Sequence, residues 1–290
     1  MDFAAMPPDW PNRATSRQIA VAPHRWHVQV MGRGPQILLI HGAGGATHSW
    51  RGLMQILAQT HTVIAPDLPG QGFTRMGSRS RCGLDPIAED MAALLAHEGW
   101  APQAVIGHSA GAAVALRLAE ILPAPPRAVI GINAALGPFE GIAGWLFPIF
   151  ARLLALNPFV PRLFARFSGG GPRVRTLLAS TGSPLDDEGI ALYARLVADP
   201  GHVDGTLAMM AQWSLTGLLA RLPALDVPVL FITSPNDHAV PPATSDRAAA
   251  RMRHAQVVSI PGHGHLVHEE NPAAVADAIA PFLAAHLPQD

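Results

Sequence analysis

Val105-Ile106-Gly107-His108-Ser109-Ala110-Gly111 is the stretch on which the fold is decided. It ends a short apolar run (104–106) and opens a small-residue helical pattern (110–119). A G-x-S-x-G pentapeptide between a strand and a helix reads as a nucleophile elbow. The tight turn forces strained backbone angles on Ser109, so its neighbours must be tiny, and Gly107, Ala110 and Gly111 are. The hydroxyl then stands clear of the sheet, and the next N–H points towards a reacting carbonyl. A glycine-rich turn carrying an idle serine has the same pentapeptide, so the rest of the chain must decide.

Outward from the elbow, short apolar runs alternate with helical patterns. Strands are expected at 26–31, 36–40, 62–65, 104–106, 128–132, 229–233 and 256–260. Helices are expected at 50–59, 86–98, 110–122, 242–252 and 272–286. Strands rich in Val, Ile and Leu, separated by helices, predict an α/β fold whose mostly parallel sheet is covered on both faces. Asp85-Pro86 and Asn271-Pro272 each offer a capping side chain followed by proline in the first turn. The strand signal vanishes between residues 134 and 224. There, 141–167 is strongly apolar and broken by Pro148, Pro158 and Pro161; 168–172 reads as a flexible hinge; and 185–213 reads as more polar helices. The expected division is a core of 1–133 with 225–290 and a helical cap of 134–224 over the sheet's C-terminal edge. Open α/β sheets bind their ligands at that edge.

An elbow of this type needs an acid and then a base, in the chain order Ser, Asp or Glu, His. Asp237 lies in Ser234-Pro235-Asn236-Asp237-His238, directly after a strand; its plain alternative is a turn-forming aspartate. His265 follows Gly264 in Pro261-Gly262-His263-Gly264-His265-Leu266-Val267-His268, with His263 and His268 as competitors. The imidazole would take the serine proton while Asp237 fixes its tautomer. No H-E-x-x-H pattern or zinc-type spacing accompanies these histidines, so no metal and no cofactor are expected. Gly42-x-Gly44 after a strand suggests a dinucleotide loop, but Thr47 occupies the third glycine position. Asp67-Leu68-Pro69-Gly70-Gln71-Gly72 reads as a structural turn.

Composition excludes several chemistries. The chain has 290 residues, 49% hydrophobic content and a net charge of -1, enough for a large core and too balanced for a nucleic-acid stripe. All 20 basic residues are arginine, which excludes a Schiff-base or P-loop lysine. Cys82 is the only cysteine, so no intrachain disulfide forms. The first thirteen residues carry no basic start followed by an apolar segment, which argues against a signal peptide. No segment reads as a transmembrane helix, and the expected location is cytoplasmic, with membrane-surface contact left open.

The chain as a whole resembles the α/β-hydrolase superfamily. It is more closely similar to the magnesium-chelatase accessory proteins of bacteriochlorophyll biosynthesis (the BchO type). The residues carrying that similarity are 9–13 (DWPNR), 25–29 (RWHVQ), 41–50 (HGAGGATHSW), 66–70 (PDLPG), 107–112, 153–158 (LLALNP), 180–183 (STGS), 209–213 (MMAQW) and 261–272. Residues 41–45 resemble the superfamily's oxyanion loop, which implies that the Ala43 and Ala110 N–H groups hold an oxyanion. The resemblance gives the base role to His265. Gln71 departs from the superfamily's frequent histidine, with little consequence expected at a turn. The resemblance further implies a role around magnesium insertion into protoporphyrin. An apolar cap would suit a large flat substrate, with Trp145, Phe150, Phe159 and Phe164 stacking on its ring and Arg162 and Arg166 pairing with its carboxylates. Two other readings of these residues stand beside it: they pack the cap, or they lie on a membrane surface. Two functions therefore compete, with cofactor-free haloperoxidase-like chemistry on the same triad as a third reading. One is a serine hydrolase for an ester of a large apolar substrate, specifically a tetrapyrrole. The other is a non-catalytic, porphyrin-binding partner of magnesium-chelatase subunits.

Overall fold

The computed structural model describes residues 1–137, 165 and 170–287. Its sheet has eight strands: β1 (Ser16–Val21), β2 (His24–Met31), β3 (Gln36–Ile40), β4 (Thr62–Pro66), β5 (Ala104–His108), β6 (Ala128–Ile132), β7 (Val229–Thr233) and β8 (Ala255–Ser259), in the order β1-β2-β4-β3-β5-β6-β7-β8. The β1–β2 and β2–β4 pairs are antiparallel, and all others are parallel. Five of the six parallel strands, β3 to β7, were legible because they are apolar runs buried on both faces. The edge strand β1 was not, since Ile19 is its one buried residue. Strand β8 sits one residue earlier than the sequence suggested.

Alternation along the strands splits the core in two. Leu38, Ile40, Ile64, Val105, Val129 and Phe231 face α2 (Leu84–Glu98) and α3 (Ala110–Ile121). Ile37, Leu39, Val63, Ile106, Ile130 and Ile232 face α1 (Arg51–Leu57) and the helix Pro272–His286. Asn271 caps that last helix by accepting the Ala274 N–H at 3.0 Å. Asp85 does not cap α2. The cap position is Gly83, and Asp85 lies inside the first turn, where it meets Arg117. Cys82 is fully buried on the α2 side of the sheet, 3.1 Å from Met76 Sδ.

Between β6 and β7 the described residues form no strand. They form α4 (Gly171–Ala179), α5 (Asp187–Val197), α6 (Pro200–Gln212) and α7 (Thr216–Arg221). Gly171 and Pro172, expected in a hinge, instead begin α4, with proline in the first turn where its missing N–H costs nothing. Val174, Leu178, Ile190, Leu192 and Leu196 pack with Met6, Trp10, Phe73 and Leu266 in a third cluster. The expected ring-stacking and carboxylate-pairing residues Trp145, Phe150, Phe159, Arg162, Phe164 and Arg166 lie outside the described residues. Among the described residues, no helix is long and apolar enough to cross a membrane.

The turn after β4 is built on one buried carboxylate. Asp67 Oδ1 accepts the Thr47 N–H at 2.6 Å. Its Oδ2 accepts His27 Nδ1–H at 2.6 Å and the Phe73 N–H at 2.8 Å. Burial by itself would raise the Asp67 carboxyl; the His27 ring, then His41 and the Phe73 N–H, outweigh it and hold the group at about 2. A carboxyl below its ordinary 3.8 stabilises the fold fully above that value and loses its contribution as pH falls towards about 2. Asp67→Asn turns a donor against these N–H groups. It should cost about 3–5 kcal/mol in denaturant unfolding, the range for breaking a buried pair. A change under about 1 kcal/mol would remove Asp67 from this role.

Candidate active site

Four loops at the C-terminal ends of β3, β5, β7 and β8 converge on one point. After β5, Ser109 has φ 51 and ψ −118, a left-handed conformation that a side chain rarely adopts. The neighbouring glycines are a steric necessity. A Cβ at Gly107 would lie 2.3 Å from the Gly111 carbonyl oxygen, and one at Gly111 would lie 2.1 Å from that of Ile40. The strained serine is held from both sides: its N–H donates to the Ile132 carbonyl at 2.9 Å, and its carbonyl accepts from Ala112 and Ala135 at 3.1 Å each. Such strain persists where surroundings over-determine it.

Asp237, after β7, is 5% exposed. Its Oδ1 accepts the Ala239 and Val240 N–H groups at 2.8 Å each. Its Oδ2 takes His265 Nδ1–H at 2.7 Å. That bond assigns a hydrogen to Nδ1, the tautomer whose Nε2 can act as a base. His265 and Ser109 share the wall of one cavity. The other two histidines go elsewhere. His263 lies 3.4 Å from Glu270. His268 is fully buried and bonds Ser49 Oγ at 2.9 Å. Ser49 in turn donates to the buried Glu269, which also accepts from Tyr193 Oη.

Two further residues support this site: Asn133, which belongs to no motif, and His108, at an unspecified position of G-x-S-x-G. Asn133 Nδ2 donates to the Gly264 and His265 carbonyls, each at 3.0 Å. His108 Nε2 donates to the same His265 carbonyl at 2.9 Å, and its ring lies between those of His265 and His268, tilted to both, at centroid distances of 4.7 and 4.3 Å. Burial, followed by the His268 and His265 rings, holds His108 well below its usual value, so it is a neutral donor. Asn133 has φ 44, a conformation in which asparagine is enriched. That enrichment, at the end of a buried strand, was the one local signal. Gly264 has a different reason to be glycine than the expected bend. A Cβ there would lie 2.2 Å from the Gly182 carbonyl oxygen.

The loop after β3 is equally constrained. His41 Nδ1–H donates to the Gly42 carbonyl at 2.8 Å, and its Nε2 accepts the Leu68 N–H at 2.9 Å. Gln71, expected to have little consequence, is fully buried and accepts the Gly44 N–H at 2.7 Å. The Gly44 carbonyl accepts His202 Nε2–H from α6 at 3.2 Å, and His202 Nδ1 accepts the Gly72 N–H at 3.0 Å. Ala43 lines the cavity and Ala110 opens α3. Among the described residues, neither N–H has a protein acceptor.

The cavity has a volume of about 480 Å³. Its floor is Ser109, His265 and Ala43; its walls include Leu177 and Leu178 of α4 and Val203, Leu207 and Met210 of α6. Thr181, Tyr193 and His202 add polar atoms, and no Arg, Asp or Glu lines it among the described residues. It therefore suits an apolar group presented to a hydroxyl and an imidazole.

The α/β-hydrolase fold family model matches residues 35–272. A magnesium-chelatase 30 kDa subunit from Rhodobacter capsulatus is 46% identical over 271 residues, covering 93% of this chain and 94% of its own. A soluble epoxide hydrolase from Corynebacterium sp. (strain C12) is 29% identical, covering 93% and 97%. The solved structure of epoxide hydrolase CorEH without ligand superposes with a TM-score of 0.79 at 24% identity, covering 93% of this chain and 99% of that one. The chain belongs to the α/β-hydrolase family and, within it, to the group of the Rhodobacter capsulatus protein.

Two outcomes follow from the histidines. His265→Ala should slow labelling of Ser109 by a fluorophosphonate by roughly three orders of magnitude or more, and His263→Ala by less than about threefold. The reverse ranking would reassign the base. Burial first of all holds His41, His48, His108, His202 and His268 below the ordinary 6.5, His202 at about 4. The unfolded chain then binds protons that the folded one does not, so stability is complete above about 6.5 and declines on acidification. The melting temperature should fall between pH 7 and 5, with His202 alone accounting for about 2 kcal/mol. A His202→Gln variant should show a shallower fall; an identical slope would refute this share.

Proposed function

We propose that this α/β-hydrolase is a serine hydrolase of the acyl-enzyme kind, acting on an ester of a large apolar substrate. The observation that carries the reading is the 2.7 Å bond from His265 Nδ1 to Asp237, beside a strained serine in the wall of the same cavity. In this reading Ser109 Oγ attacks the ester carbonyl while His265 Nε2 accepts its proton. Asp237 steadies the imidazolium, and the Ala43 and Ala110 N–H groups receive the developing oxyanion. The imidazolium then protonates the leaving alkoxide, and water repeats the sequence on the acyl-enzyme. Residues 134–224 act as a cap over a core of 1–133 and 225–290.

The substrate class rests on two supports. The described cavity lining is apolar and uncharged, so the group it holds is a neutral ester and not a free carboxylate. The 46% identical relative is named a magnesium-chelatase subunit, which favours a tetrapyrrole ester in bacteriochlorophyll biosynthesis. That name also favours a second reading, in which the chain binds a porphyrin and serves the chelatase without turnover.

Incubation with a methyl-esterified porphyrin separates the two, with absorbance shifts reading binding and product masses reading hydrolysis. Wild type should bind and release the free acid. Ser109→Ala should bind equally, release none, take no fluorophosphonate label and melt within a degree or two of wild type. Binding by both proteins with turnover by neither would establish the second reading. Normal labelling of Ser109→Ala would overturn the assignment of the nucleophile.

A further inference from the structure

The loop between α4 and α5 does more than connect two helices of the cavity wall. The Thr181 carbonyl accepts the N–H of His238, beside the acid, at 3.1 Å and that of His265 itself at 3.3 Å. One carbonyl therefore bridges the loops that follow β7 and β8. Gly182, at φ 88, lies against both: a Cβ there would sit 1.8 Å from the Asn236 carbonyl oxygen, and Gly264 leaves room for it on the other side. Ser183 is fully buried. Its Oγ accepts the Leu266 N–H at 2.7 Å and donates to Glu270 Oε1 at 2.6 Å. The same Oε1 accepts the Gly264 N–H at 3.1 Å.

Three successive N–H groups, at 264, 265 and 266, are thus held by Glu270, Thr181 and Ser183. From the opposite side, Asn133 and His108 hold the His265 carbonyl. With its peptide fixed on both sides, the His265 ring has one bond left to choose, and Asp237 supplies it. We propose that Ser183, braced by Gly182 and Glu270, is a positioning residue that sets His265 in register with Asp237 and Ser109. The proposal deepens the serine-hydrolase reading and rests on it for its kinetic consequence. Ser183 does not line the cavity, so its effect falls on the reacting geometry and not on binding. Its loop does join the two helices that supply Leu178 and Tyr193 to the wall.

The test follows fluorophosphonate labelling of the intact chain across reagent concentrations, together with NMR of the His265 Nδ1 proton after 15N-histidine labelling. Ser183→Ala should lower the maximal labelling rate roughly ten- to a hundredfold, the cost of displacing a catalytic group by a fraction of its reach. The half-saturating reagent concentration should stay unchanged, and the Nδ1 proton signal should shift or broaden. Glu270→Ala severs the same support from the other side and should reproduce both effects if Ser183→Ala folds poorly. Wild-type labelling with an unaltered Nδ1 proton in either folded variant would overturn the proposal. If the wild-type chain takes no label while the variants still displace the Nδ1 proton, the hydrolase reading falls and the positioning role of Ser183 stands.

Discussion

A single buried carboxylate, that of Asp67, is the constraint on which the loop edge of this sheet depends. Charge removed from water survives only if every lone pair finds a partner. Here the partners come from three separate stretches: His27 on β2, Thr47 beyond the β3 loop, and Phe73 at the end of the turn. Satisfying the charge therefore fixes where three segments lie relative to one another. The turn so fixed delivers the Leu68 N–H to His41 and the Gln71 side chain to Gly44. The backbone that presents Ala43 is thereby placed by an ion more than twenty positions later in the sequence.

A second constraint is backbone packed on backbone. Gly107 and Gly111 let α3 start against the ends of β5 and β3, and Gly182 and Gly264 let the α4–α5 loop touch the β8 loop. Gly205 of α6 does the same against Gly70, where a Cβ would meet the carbonyl oxygen at 2.3 Å. The helices between β6 and β7 are thus seated at two places: on the β3 side through His202 and Gly205, and on the β7–β8 side through residues 181–183. The apolar cavity lies between these seats, so its walls are held by the groups that hold its floor.

Much of this was legible in the residues themselves. Strands buried on both faces write themselves as apolar runs, and Ser109 and Asp237 each follow such a run, β5 and β7; His265 follows the more exposed β8. A local signal points to these positions because each loop's start is fixed by the strand before it. What escaped was set by distant neighbours. Gln71 looked like an ordinary turn residue because nothing near it in sequence shows that its amide reaches Gly44. Asn133, His108 and Ser183 act through contacts to residues 264–266, far along the chain. Asp85 looked like a cap because it precedes proline, yet α2 begins one residue before it. Local chemistry marked the candidate site residues, and tertiary contact determined which neighbours surround them.

The burial of Cys82 has a practical side. Burial lifts its thiol to about 11, so almost no thiolate exists at neutral pH, and the sulfur has no exposed surface. The sequence contains no lysine. Electrophiles aimed at amines or thiols, which decorate most proteins at many positions, meet a chemically quiet surface. An adduct seen by intact mass on this chain is therefore unusually informative, because the common competing nucleophiles have been withdrawn or were never encoded.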